Sequence, residues 1–133
     1  MIGLDTNIII RYLTQDDLRQ AKIVNKLLDE SITNKKTLWI SLITLCECSW
    51  VLEKCYEVSK PELIEIFKKL LEVQQLEFEG EDIAWEALKD FEDNRKAGFA
   101  DCLIGRQNIH NKCQLTYSFD RHATGLPSFK LLS

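Results

Sequence analysis

The stretch Ile2-Gly3-Leu4-Asp5-Thr6-Asn7-Ile8-Ile9-Ile10 sets one carboxylate, one hydroxyl and one amide inside an otherwise apolar run. Such a run predicts a short buried strand over residues 1–4, with helical spacing starting around Thr6. The charge inside it is the informative part, because burying an unpaired carboxylate is costly or shifts its pKa until it neutralises. Asp5 therefore sits at a strand end where the chain surfaces, or is compensated by something cationic, or is a helix N-cap, a role Asp and Asn fill well. The stretch alone leaves these open.

Outward from it, Asp16-Asp17 opens a helix with Leu18, Ala21, Val24 and Leu28 on one apolar face. Thr37-Leu38-Trp39-Ile40 reads as a second strand, and Ser41 can cap a helix over about 42–56. Ser59-Lys60-Pro61-Glu62 has the S-x-x-E capping box with an early proline, heading a helix through Leu63, Ile66, Phe67 and Leu70. Leu76-Glu77-Phe78 is a third strand, followed by Gly80 and a helix through Ala84, Ala87, Leu88 and Phe91. A further helix covers about 99–110, Gln114-Leu115-Thr116-Tyr117 is a fourth strand, and residues 129–132 form a fifth at the edge. Strands separated by helices, with no two-residue hairpin signal, predict parallel pairing. The expectation is an α/β chain, a single domain over residues 1–133 without linker or internal repeat.

The 45% apolar and 29% charged residues are those of a globular chain. No apolar run approaches the roughly 18 residues of a membrane span, and no secretory signal pattern is expected. The five cysteines (46, 48, 55, 102 and 113) include no CxxC pair, and three lie in apolar helical patterns. They are expected to be reduced, buried thiols of a cytoplasmic protein. Cys46-Glu47-Cys48 is a poor zinc site, since residues two apart do not share a helix face. A net charge of −4 argues against gripping nucleic acid through global charge, but leaves room for a local basic patch.

Four carboxylates stand in settings that a solvated acid would avoid. Asp5 ends the first strand and Asp120 follows the fourth, where open parallel sheets place their chemistry. Glu47 has Ile43, Trp50 and Val51 one turn away, a largely apolar face. Asp101 begins a helix, where the dipole favours an anion, and the small Gly105 at i+4 leaves room for another element to approach closely. Each has an ordinary explanation: a cap, a turn, a buried partner. Taken together, four converging acids would repel strongly unless a cation joined them. Oxygen-only ligands suit Mg²⁺ or Mn²⁺.

Asp5-Thr6-Asn7, then Arg11-Tyr12-Leu13-Thr14 with Asp16-Asp17, resembles the opening of PIN-domain ribonucleases, specifically the VapC-type toxins of toxin–antitoxin pairs. Glu47 followed by Trp50-Val51-Leu52, Phe99-Ala100-Asp101-Cys102-Leu103-Ile104 and Ser118-Phe119-Asp120-Arg121 are similar to the family's later motifs, in family order. The resemblance implies a three-layer α/β/α sandwich with a central parallel sheet of four to five strands, and a Mg²⁺- or Mn²⁺-dependent endoribonuclease. Asp5, Glu47, Asp101 and Asp120 would form the acidic quartet. Asp5, Asp101 and Asp120 would hold the metal, and Glu47 would orient or deprotonate the attacking water. Thr6, Asn7 and Ser118 would be polar supports. Ser118 stands where a threonine is more usual, and Gly98 where many relatives carry a further acid, which puts a second metal in doubt. A cognate antitoxin and a homodimer are implied partners.

Arg11, Arg95, Lys96, Arg106 and Arg121 flank the acidic motifs and are candidates for RNA phosphate contacts. His110 and His122 read as a helix end and a loop residue. Trp39, Trp50 and Trp85 read as core or subunit interface. Rival functions are a PIN-fold nuclease of RNA processing or repair, and a non-catalytic PIN-fold binding module. A phosphatase-like use of Asp5 would need a second Asp where Asn7 stands.

Overall fold

A computed structural model describes residues 1–132. They form a mixed α/β chain whose strands all pair in parallel, in two compact units divided after Glu79.

The first unit runs β1 (Ile2–Gly3), α1 (Thr6–Thr14), α2 (Leu18–Thr33), β2 (Leu38–Ile40), α3 (Leu42–Cys55), α4 (Lys60–Leu71) and β3 (Leu76–Phe78). Its strands lie in the order β1-β2-β3, with Ile2 opposite Leu38 and Leu38 opposite Leu76. Each crossover is a pair of helices, which is what parallel neighbours require. Leu38 and Ile40 of β2 are fully buried, as are Leu45, Leu52, Leu63 and Phe67 of α3 and α4. Helix starts follow the side chains that specify them. The Asp17 carboxylate accepts from Gln20 N (3.0 Å), and Ser41 Oγ accepts from Thr44 N (3.1 Å). At Ser59 the capping box closes in both directions, each bond at 3.4 Å.

The second unit runs α5 (Glu81–Asp93), α6 (Phe99–His110), β4 (Thr116–Ser118) and β5 (Phe129–Leu131). Gly80 enters α5 with φ of 58°, a left-handed conformation that glycine adopts without a Cβ clash. Phe91 and Phe99 meet edge to face with ring centroids 5.7 Å apart. Asp90, buried on α5, receives both Nε and Nη2 of Arg106 from α6, at 2.6 and 2.9 Å. Gly105 also serves packing: a Cβ there would come within 2.6 Å of the Phe129 ring, so the close approach foreseen at this glycine is made by β5.

Several expectations need correction. The strands of the anticipated four-to-five-stranded sheet all form, but as a three-stranded and a two-stranded set, with ladders only two or three residues long. β4 lies slightly later than expected, at Thr116–Ser118. The two ladder residues of β1 are exposed rather than buried, because β1 ends its order and Leu4, Ile9 and Ile10 carry the burial of the opening run. Leu18 is 77% exposed, since a side chain in the first helical position leans back past the helix end. Cys48 and Cys102 are buried, but Cys55 and Cys113 are exposed. Among the described residues, no helix is long and apolar enough to cross a membrane.

The Asp90–Arg106 pair should be worth measuring by urea unfolding. Asp90→Ala should destabilise the chain by about 1–3 kcal/mol, because it leaves a part-buried guanidinium short of two acceptors. Asp90→Leu combined with Arg106→Met should recover most of that loss. A single-variant change below about 0.5 kcal/mol, the scale of a neutral surface substitution, would show the clamp to be idle.

Candidate active site

In the first unit, Asp5 heads α1 as its N-cap, with extended backbone and its carboxylate accepting from Thr6 N at 2.7 Å. It is exposed, so of the three possibilities raised by the sequence the cap is realised, at the point where the chain leaves β1 and surfaces. Glu47 lies in the middle of α3, and the two acids share a neighbour: Thr6 Oγ donates to Glu47 Oε1 at 2.8 Å. Both line a cavity of about 360 Å³ together with Thr6, Asn7, Arg11, Val51 and Tyr56. The apolar face expected to bury Glu47 surrounds it without covering it. Ile43 is 73% and Trp50 50% exposed, and Glu47 itself is exposed.

Behind this pair the Cys48 thiol is pushed up to about 12, first by burial and then by the charges of Glu47 and Asp5. A thiol so placed stays protonated at neutral pH. Two negative charges acting on one thiol also show that Asp5 and Glu47 occupy the same neighbourhood.

In the second unit, Asp101 lies half-buried in the first turn of α6. Burial, and after it the charge of Asp120, raise its carboxyl above the ordinary range. Asp120 is exposed in the turn after β4. Its backbone N–H donates to Ser118 Oγ at 3.0 Å, and its Oδ1 accepts from His122 N at 2.8 Å. Ser118 thus shapes the turn that carries the acid. None of the four carboxylates has a basic side chain within ion-pair distance among the described residues.

The same residues hold no ready-made group of three or more acids, imidazoles or thiols. Each unit instead supplies one pair. Their donors are carboxylate oxygens, one of them on Glu47 held by the Thr6 hydroxyl, and that chemistry fits a hard divalent cation.

The basic candidates differ in what they already do. Arg106 is engaged with Asp90. Arg95 and Lys96 are exposed between α5 and α6, and Arg121 is exposed beside Asp120. Arg11 is held by Gln20, Tyr56 and Asp16. His110 ends α6 with Nε2 2.7 Å from Glu86, and His122 is exposed in its turn. Tyr56, just past the end of α3, was not among the sequence candidates. Its partners Arg11 and Asp16 are 45 and 40 residues away, so no local pattern signals it.

A comparison with curated proteins finds no match. A family model described as PIN domain matches residues 2–126, a span that takes in Asp5, Glu47, Asp101 and Asp120. The chain therefore belongs to the PIN domain family, a nuclease-type fold whose members generally depend on divalent metal ions.

Proposed function

We propose that the chain is a Mg²⁺- or Mn²⁺-dependent endoribonuclease and the toxin of a toxin–antitoxin pair. The observation that carries the catalytic part is the pairing of carboxylates without cations, Asp5 with Glu47 and Asp101 with Asp120. The raised carboxyl of Asp101 beside Asp120 is the kind of perturbation that clusters at functional sites. The toxin assignment rests on the order and wording of the four motifs along the chain.

In this reading Asp5, Asp101 and Asp120 hold the ion, which when bound polarises the scissile phosphate and lowers the pKa of water. Thr6 donates to one oxygen of Glu47, fixing the carboxylate and leaving its other oxygen to accept a proton from the attacking water. Asn7, exposed on the cavity wall, and Ser118, under the Asp120 turn, are supports. Arg95, Lys96 and Arg121 are free to meet RNA phosphates in a way that Arg106 is not.

Asp5→Asn and Asp101→Asn should each reduce Mg²⁺-dependent RNA cleavage by at least about a hundredfold, the upper end of what an outer-sphere ligand costs. Circular dichroism of both variants should match the parent. Expression of the parent, but not of Asp5→Asn, should arrest growth, and a co-expressed antitoxin should relieve the arrest. Undiminished cleavage by either variant would refute the assignment. Light scattering at micromolar concentration should show a homodimer, and a monomer there would remove that part of the proposal.

A stability measurement probes the same acid without activity. Asp101 has a raised pKa, so the folded chain holds its proton to higher pH than the unfolded chain does. Its ionisation therefore costs stability progressively as pH rises through the window above the ordinary carboxylate range. In chelator, the melting temperature of Asp101→Asn relative to the parent should climb from acid to neutral pH. A difference independent of pH would show that the Asp101 charge carries no such penalty.

A further inference from the structure

Arg11 lies on α1 and lines the same cavity as Asp5 and Glu47, and also a neighbouring one of about 340 Å³ with Ile8, Gln20 and Val24. An unrestrained arginine beside two unpaired carboxylates would swing to them. This one makes no ion pair with either. Its Nε donates to Gln20 Oε1 at 2.6 Å and its Nη1 to the Tyr56 hydroxyl at 3.1 Å. Tyr56 in turn donates to Asp16 Oδ2 at 2.8 Å, and Thr14 donates to Asp16 Oδ1 at 2.7 Å.

Asp16 does not cancel the arginine in a tight pair. Its contact with Nη1 is 3.5 Å, long for a charge-assisted bond, and its carboxylate is satisfied mainly by the two hydroxyls. Those hydroxyls, Thr14 first and then Tyr56, also hold its carboxyl below the usual range, so it remains ionised. A guanidinium has five N–H donors. Nε and Nη1 are committed here, and Nη2 has no partner among the described residues. The result is a fixed cation with one uncommitted nitrogen, on a residue that lines the cavity holding two acids. The two N–H groups of Nη2 are left to donate to a phosphate oxygen.

We propose that Asp16 and Tyr56 are positioning residues that hold Arg11 as a preset clamp for an RNA phosphodiester on the wall of the Asp5–Glu47 cavity, a role that rests on the endoribonuclease reading. The anchors serve two ends. They keep the cation from neutralising the acids, and they remove the ordering cost that a mobile arginine would bring to binding.

The test uses the full chain and a short single-stranded RNA. Affinity is read by fluorescence anisotropy in chelator over a salt series, and cleavage kinetics are read with Mg²⁺. Arg11→Ala should bind roughly tenfold more weakly, the loss of one hydrogen-bonded charge. The slope of log affinity against log salt should also shrink by about 0.7, one phosphate contact to a single strand. Arg11→Lys should restore the slope but not the cleavage rate. Tyr56→Phe and Asp16→Asn keep the cation and so the slope, but should raise KM several-fold at a temperature where they remain folded. A purely structural role would lower melting temperature and leave slope and KM alone. An unchanged slope in Arg11→Ala overturns the clamp, and an unchanged KM in both Tyr56→Phe and Asp16→Asn overturns the positioning. If the parent neither binds nor cuts RNA, the endoribonuclease reading falls and takes the clamp with it. If the parent cuts RNA and the slope holds, the clamp alone falls.

Discussion

Uncompensated negative charge is the constraint around which this chain is built. Two carboxylates about 4 Å apart repel by roughly 1 kcal/mol in water and about 4 kcal/mol at an effective dielectric of 20. A chain selected for stability alone would separate Asp101 from Asp120 or give them an arginine. Instead Arg106, on the same helix as Asp101, is committed to Asp90. In the first unit Arg11 is tethered to Gln20, Tyr56 and Asp16. In both units, arginine hydrogen bonding is directed elsewhere while the acids are left in want of a cation.

Local backbone structure makes this arrangement affordable. Asp5 caps α1, so one of its oxygens takes a bond from Thr6 N that the helix end would otherwise leave open. Thr6 then reaches Glu47 on α3 with its hydroxyl. Two adjacent residues, Asp5 and Thr6, thus start a helix and orient an acid on another. Asp120 does the equivalent in a turn, bonded through its backbone to Ser118 and through its carboxylate to His122 N. For Asp5 and Asp120, the bonds that aim the carboxylate are ones the backbone needs in any case.

Much of this was legible in the sequence where cause and effect lie close along the chain. The Ser59–Glu62 box, the Ser41 and Asp17 caps and the β3 strand follow from residues within a turn of one another. The four candidate acids stand out in the sequence because each falls at a strand end or on a helix face that reads as apolar, and the family match spans them all. What failed to show was exposure and long-range pairing. Periodicity around Glu47 is the same whether Ile43 and Trp50 face a core or solvent, and here they face solvent. Nor does any spacing rule connect Tyr56 to Asp16, or Arg106 to Asp90 at a separation of 16 residues. A residue's periodic setting reveals which face it takes, not what lies opposite that face.

Gly105 gives one of these long-range contacts a wider meaning. The ring of Phe129 rests where a methyl group would be, and Phe129 begins the strand that pairs with β4, from whose end the Asp120 turn departs. The aim of an acid in a surface turn is therefore referred back, through a ladder only three residues long, to an empty position on a helix. A position with no side chain at all can bear on the placing of a turn beyond it, because what it contributes is room.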